Sequence, residues 1–496
     1  MTTLPAAAAT MAVLAVAGAP PVLALVGLRW QSVPLTPLAG AAIAALAGIV
    51  VTLVDGSILG WFAVVAVVVA SGSLVYWSRW RRPVLRSGGH GSAGAVSQRL
   101  SRTIGAAAAV VVGLAVVWAL VPLRTPSVGW DAQAIWILRA GWFAGGHGLL
   151  LAAARNRSLL LAHASYPPLV SSTVAVAWQL TGDHGDRLGV VVVSLLNVAA
   201  MAVAAWVVIV AGLGAAGRVG SRTMSILVAL VGLVAGGLFV LAIAGVFGPF
   251  LTNGYADPLW SATAVGAVGY GLCLMPDRAS YATAGILVVV CGLTKVEGTV
   301  IGIGVLGLVV GRAVVGRWWP RSERTFRALV ADARRPAVYG VAVVVLLGVW
   351  PLLTRIEKFT PDSNTSGPRV GSALTRARLT ADAMAPHLDL LALAVPFAIV
   401  AALLLNRWRR RIGLGNDLWA WAAAGVGLAA IAGAYVTGPG NVSLWLRTSV
   451  HRTTMFPAVT AWLILGIWAV VAAAHLADRD ADLQAERELS DRGVQP

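Results

Sequence analysis

Side chains able to do chemistry are few in this chain, and they fall in short stretches between apolar runs. Asp131 directly follows Trp130 and leads an amphipathic segment. A carboxylate at a membrane–water boundary could act as a general base. Partial burial beside Trp130 and Trp136 would raise its pKa toward a useful range, and a cation would pull it down. Asp is also a favoured N-cap, so Asp131 could instead cap a helix over Ala132–Gly141. Asp257, in Asn253-Gly254-Tyr255-Ala256-Asp257, offers a similar choice. It either caps the next helix or faces Asp131 as a second acid that binds an acceptor hydroxyl or a metal.

Leu293-Thr294-Lys295-Val296-Glu297-Gly298 is the sharpest signal. Lys295 and Glu297 stand between two apolar runs whose connection is too short for a solvated loop. Ionisable groups at such depth are costly and usually functional. Lys295 could hold a phosphate as a point charge, or Lys295 and Glu297 could pair and merely close the hairpin. Arg447, His451 and Arg452 precede the last apolar run. They could neutralise a phosphate leaving group or snorkel toward lipid headgroups. Tyr166-Pro167-Pro168 suits a helix start, where no amide donor is needed. Trp130, Trp136 and Trp142 read as interface anchors. There is no Walker A sequence, dinucleotide-binding glycine pattern, zinc-ligand spacing or serine-nucleophile elbow. No cofactor is indicated; a divalent metal is compatible with the acids but not called for.

The elements that must position these residues are membrane helices. The chain has 496 residues, of which 58% are hydrophobic and only 11% charged, with mean hydropathy +0.82. Soluble domains carry about 25% charged residues. Apolar stretches long enough to cross a hydrocarbon core of about 30 Å recur from end to end. The fold class is therefore all-α and polytopic, with about thirteen transmembrane helices. They are expected near 5–28, 36–53, 58–77, 103–123, 187–212, 224–247, 257–275, 280–294, 297–315, 337–354, 387–405, 417–436 and 456–475. Met1–Gly27 lacks a basic leader and reads as a retained helix rather than a signal peptide. Cys273 and Cys291 lie inside apolar runs and imply neither a disulfide framework nor a metal site.

The net charge of +17 does not call for nucleic acid, because the arginines cluster in short loops between apolar runs, as membrane orientation requires. Ser78–Arg102, Arg218 and Arg222, Gly311–Pro336, and Arg407 through Arg411 hold most of the basic residues. Placing them in the cytoplasm puts Arg29, Arg278 and the acidic tail Asp478–Pro496 there too. It also makes Arg124–Asp186 one large extracytoplasmic loop, with Pro167–Thr181 as an interfacial or re-entrant helix rather than a span. Asp131, Asp257, Lys295, Glu297, Arg447, His451 and Arg452 then share the outer face. Four regions follow: N-terminal helices and a basic loop (1–102), a module carrying the charged stretches (103–316), C-terminal helices (317–477) and a tail (478–496).

The order of these stretches resembles the GT-C superfamily of membrane glycosyltransferases, such as protein O-mannosyltransferases and lipid A aminoarabinose transferases. In that pattern an acid lies in a large outer loop, here Trp130-Asp131. A Tyr/His-Pro-Pro element follows, here Tyr166-Pro167-Pro168, then an Arg-Leu opening the next helix, here Arg187-Leu188. An acid at the outer end of a later helix comes next, here Asp257, and then a Leu-Thr-Lys hairpin, here Leu293–Gly298. The family's loop usually follows its first helix, whereas here further helices come before it, and Asp131 lacks the second adjacent acid of several branches. The resemblance implies a multi-pass plasma-membrane enzyme of GT-C-like fold. Its donor would be a polyprenyl-phosphate sugar and its acceptor an envelope glycan, lipid or protein. Asp131 would take the acceptor proton with inversion at the sugar carbon, and Lys295 would hold the lipid phosphate. Asp257, Glu297, Tyr166, Arg447, His451 and Arg452 would complete the substrate site. A polytopic transporter or lipid flippase is the alternative, but it would usually show discontinuous helices near the midplane or an internal repeat.

Overall fold

The structure, a computed structural model, describes residues 3–80, 126–219, 222–274, 277–315, 326–361, 368–412, 414–415 and 417–491, with scattered positions between 106 and 124. Among these the chain is all-helical, and nine helices are long and apolar enough to cross a membrane. Three pack in sequence at the start: α1 (Thr3–Leu25), α2 (Ser32–Leu53) and α3 (Ile58–Trp80). The segment after Gly129 folds into short pieces. A π-helical turn (Ala132–Ile137) runs into α4 (Leu138–Ala144), followed by α5 (Gly146–Ala154) and α6 (Leu169–Thr181). Long helices return with α7 (Asp186–Ala216) and α8 (Arg222–Phe247). Then come α9 (Asp257–Val268), α10 (Arg278–Thr294), α11 (Val296–Val315) and α12 (Phe326–Ile356). The C-terminal third holds α13 (Ala373–Met384), α14 (Asp389–Arg411), α15 (Leu418–Thr437), α16 (Val442–Thr453) and α17 (Met455–Asp491).

The centre of the bundle is α9. Every one of its residues is buried, and it packs against α7, α10, α11 and α17. Helices at the margin do the reverse. α14 turns Leu393, Phe397, Val400, Leu403 and Leu404 outward, the arrangement expected of a helix solvated by lipid. Small residues let the inner helices approach. A β-carbon on Gly212 of α7 would lie 2.6 Å from the Gly232 Cα of α8, so the two backbones meet where only glycine fits.

The two ends of the bundle carry different residues. At one end Arg29 pairs with Asp277 at 3.2 Å, Arg409 with Asp417 at 2.8 Å and Arg411 with Asp478 at 2.7 Å. Arg312 there donates to the carbonyls of Gly271 and Leu274, each at 2.9 Å, and Arg218 donates to that of Ile412. Of the basic residues expected to share a side, Arg29, Arg218, Arg312, Arg409 and Arg411 do meet at one end; Ser78–Arg102 lies almost wholly outside the described residues. The Asp131–Thr181 segment covers the other end, bonded to the ends of α2 and α3: His147 Nδ1 lies 3.2 Å from the Val51 carbonyl of α2, and Gln179 accepts from the Leu59 amide of α3 at 3.0 Å and donates to the Ala144 carbonyl at 2.8 Å.

Several expectations change. The 280–294 stretch is a helix of 17 residues, Arg278–Thr294, and the 337–354 stretch lies within the longer α12. The 257–275 stretch is α9 prolonged by a π-helical turn, Gly269–Cys273. The 103–123 stretch lies largely outside the described residues, as do Ser78–Arg102 and Gly311–Pro336 in good part. Leu169 through Trp178 are all buried, which removes the wet face of an interfacial helix and leaves the re-entrant reading of Pro167–Thr181. They fill the space between α2, α3, α4 and α7, with Ser171, Ser172 and Thr173 buried among the apolar residues. Trp136 and Trp142 are likewise core residues, 1% and 6% exposed, and only Trp130, at 59%, lies open as an interface anchor would. The α7–α8 crossing gives a direct check. Gly212→Leu should destabilise the protein by about 1–3 kcal/mol in thermal unfolding in detergent. Gly214→Leu, whose β-carbon meets nothing, should not.

Candidate functional site

Two glycines bring the first acids together. The Gly129 amide donates to the Asn253 carbonyl at 2.9 Å, and a β-carbon on Gly129 would meet the Tyr255 ring at 2.2 Å. Gly254 has φ +84, and a β-carbon there would lie 2.8 Å from that of Ala132. The chain around Asp131 and the loop before Asp257 are thereby interlocked. Asn197 of α7 fixes that loop from below, donating to the carbonyls of Leu251 at 3.1 Å and Tyr255 at 3.2 Å.

The lysine comes from a hairpin with a single residue between its helices. Lys295 alone is extended, at φ −153 and ψ 156, between α10 and α11. Thr299 donates to the Gly292 carbonyl at 2.7 Å, and Cys291 Sγ contacts the Gly298 carbonyl at 3.2 Å. A β-carbon on Gly298 would sit 2.2 Å from the Cys291 carbonyl oxygen, so this close return requires glycine. Arg452 comes from the last turn of α16. Tyr435 of α15 braces that helix through Ser449 Oγ at 2.7 Å and Thr453 Oγ1 at 3.1 Å.

These elements build one alternating chain of charges. Arg452 Nη1 contacts Asp131 Oδ2 and lies 3.2 Å from Asp257 Oδ2. Asp257 Oδ1 accepts from Lys295 Nζ at 2.9 Å, and Lys295 Nζ lies 3.3 Å from Glu297 Oε1. Asp257 and Lys295 are buried, as is Arg452. Aromatic faces line the cations: the Arg452 guanidinium lies 4.9 Å from the Tyr255 ring centre and Lys295 Nζ 5.9 Å from that of Tyr166, favourable cation–π placements. Burial works against the charged form of Lys295, but the carboxylates of Asp257 and then Glu297 outweigh it and hold its pKa well above the ordinary lysine value. Burial also raises the Tyr255 hydroxyl, and the Asp131 carboxylate adds to the effect.

Asp131, Asp257, Lys295, Glu297, Arg452 and Tyr166 therefore converge, from stretches more than three hundred residues apart at the extremes. Neither acid makes a helix-capping hydrogen bond; both turn to Arg452. The Lys295–Glu297 pair exists, but Asp257 is the nearer partner. His451 stands at the edge, its ring 5.0 Å from that of Phe250 and 6.1 Å from that of His387. Arg447 is exposed and outside the cluster, which corrects its placement in the site.

Sequence reasoning left out two residues. Tyr255 accepts from the Asp131 amide at 3.4 Å; its place in the Asn-Gly-Tyr-Ala-Asp stretch was the available signal. Arg139, 1% exposed, donates to the Tyr166 carbonyl at 2.5 Å; the signal was an arginine inside an apolar run. Among the described residues no group of three or more His, Cys, Asp or Glu side chains is placed to hold a metal ion. The cluster is closed by its own ion pairs. Two open cavities among the described residues lie away from it, one of about 740 Å3 between Ser57–Ala63 and Trp178–His184, the other beside Arg157 and Lys358. Comparison with protein-family models, with curated proteins and with solved structures finds no match to this chain.

Removing one partner from a buried ion pair costs about 3–5 kcal/mol. Arg452→Met, which strands Asp131 and leaves Asp257 with Lys295 alone, should lose that much in thermal unfolding. Asp131→Asn should lose less, since Arg452 keeps Asp257. Arg447→Met should stay within about 0.5 kcal/mol of the parent.

Proposed function

We propose that the chain is an integral-membrane glycosyltransferase. It moves a sugar from a polyprenyl-phosphate donor to an extracytoplasmic envelope glycan, lipid or protein, within a GT-C-like arrangement of about thirteen spans in the plasma membrane. The observation that carries this reading is the convergence of Asp131, Asp257, Lys295 and Arg452 at one end of the bundle. A carboxylate able to accept a proton stands beside two cations able to hold a phosphate. Both needs of glycosyl transfer from a lipid phosphate are met by side chains alone.

The reaction uses the cluster as follows. The acceptor hydroxyl takes the place of Arg452 against Asp131. Its oxygen attacks the anomeric carbon from the face opposite the phosphate, and the carbon–oxygen bond to phosphate breaks with its electron pair going to the phosphate oxygen. Asp131 takes the hydroxyl proton as general base. Arg452, freed from Asp131, and Lys295 neutralise the polyprenyl phosphate as it leaves, where charge develops in the transition state. Asp257 keeps both cations aimed at that point, and Glu297 supports Lys295 from the other side. The product is a glycoside of inverted configuration.

Asp131→Asn should still fold and insert, yet lower turnover about 10^2–10^4-fold, the usual weight of a general base. Lys295→Ala should raise the donor KM and lower turnover. The measurement is envelope glycan composition, with accumulated polyprenyl-phosphate sugars, in a deletion strain complemented by each variant. Unchanged glycans with both variants would sink the reading.

A further inference from the structure

The described residues hold a cavity of about 560 Å3 that shares no residue with the charge cluster. It lies between the segment after α5 and the end of α12, lined by Arg155, Arg157, Lys358, Phe359 and Thr360 among others. Phe359 packs edge-on against Trp350, with ring centres 5.9 Å apart. Trp350 Nε1 donates to the Ser165 carbonyl at 2.9 Å, so the cavity belongs to the end of the bundle that carries Tyr166.

Three observations define what it would take. The first is the sign of its charge. Arg155 is occupied, donating to Glu357 Oε2 at 2.6 Å and to the Glu357 carbonyl at 2.8 Å. Arg157 and Lys358 have no acidic partner among the described residues, so the lining is left with positive charge. The second is a buried hydroxyl. Thr360 is 6% exposed and its amide donates to the Ala154 carbonyl at 2.8 Å, but its Oγ1 has no hydrogen-bond partner among the described residues. Buried hydroxyls are ordinarily satisfied, so this one has a hydrogen bond left to make at the cavity wall. The third is the backbone of Lys358. α12 closes with the Phe359 amide on the Thr354 carbonyl at 2.9 Å and the Lys358 amide on that of Arg355 at 3.2 Å. This closure puts Lys358 at φ 52, a left-handed position usually given to glycine. A lysine is held there against its own backbone preference, at the lip of a basic cavity.

We propose that this cavity binds a phosphate-bearing anion through Arg157, Lys358 and Thr360. Guanidinium, ammonium and hydroxyl donors match phosphate oxygens. Exposed Ile356 lines the cavity with these donors, and exposed Leu160 and Leu161 follow Arg157 in the chain, so the phosphate can belong to a lipid headgroup as well as to a soluble ion. The site does not rest on the sugar-transfer reading.

The test uses the purified full chain in detergent. Native mass spectrometry would measure retention of phosphatidic acid against phosphatidylcholine, and equilibrium dialysis would measure radiolabelled inorganic phosphate. At least one phosphate probe should bind, and Lys358→Gly or Arg157→Gln should weaken it roughly tenfold, the loss of one charge-assisted hydrogen bond. Lys358→Gly should keep or raise the Tm, because glycine relieves the left-handed backbone; a structural role alone would not separate stability from binding in this way. Preference for phosphatidic acid identifies a lipid headgroup, and binding of inorganic phosphate alone identifies a soluble anion. Asp131→Asn should leave binding intact, which keeps this outcome apart from that of the enzyme assay. Absence of binding by both probes, or binding unchanged in both Lys358→Gly and Arg157→Gln, overturns the proposal.

Discussion

A single guanidinium holds this protein's charged end together. Arg452 is shared by two carboxylates from distant stretches, Asp131 and Asp257. Charges taken out of water need partners and satisfied hydrogen bonds, and this one uses what remains of its donor fork on the Thr448 carbonyl of its own helix. Everything around it serves that geometry. The glycines at 129 and 254 let two loops touch, the Lys295 hairpin supplies the second cation, and Tyr435 steadies the helix that delivers Arg452. The network is a poor source of net stability, since apolar side chains of similar volume would often do as well. A chain that retains five alternating charges in such a place gains specificity of arrangement or chemistry from them.

That balance also shapes the proposed reaction. A cluster closed on itself is a resting state. A substrate phosphate competes with carboxylates for the same cations, and an acceptor hydroxyl competes with Arg452 for Asp131. Binding and activation are then one exchange of partners, and the affinity for the donor is the difference between two ion-pair arrangements rather than the full strength of either. The basic cavity near Lys358 differs in this respect: two of its cations have no acid to displace among the described residues.

Much of the helical plan was legible because lipid imposes a simple rule of length and hydropathy, and nine of the expected spans have counterparts among the described residues. The convergence of Asp131, Asp257, Lys295 and Arg452 was legible for a related reason. Ionisable residues at helix ends are rare in such a chain, and arginine clusters assign those ends to sides. Less legible was what depends on helix phase and packing. Arg447 and Arg452 are alike in the sequence, yet five residues at about 100° each point them to different faces, and only one is inward. The burial of Leu169–Trp178 depends on α2, α3, α4 and α7 closing around it, which no local pattern records. At Asp131 and Asp257, where a cap was one of two readings, tertiary ion pairs took its place, a competition that propensity cannot rank.

The Arg452–Asp131 contact spans 321 positions, and this separation bears on biosynthesis. A chain made from its N-terminus presents Asp257 with Lys295 soon after both emerge. Asp131 has no such early cation; Arg452 is made 195 positions after Asp257. The segment that carries Asp131 can dock earlier, through Gly129 on Asn253 and the buried α6, but the Asp131 carboxylate keeps its water until Arg452 arrives. A chain stopped short of residue 452 could insert most of its helices and still lack a finished site.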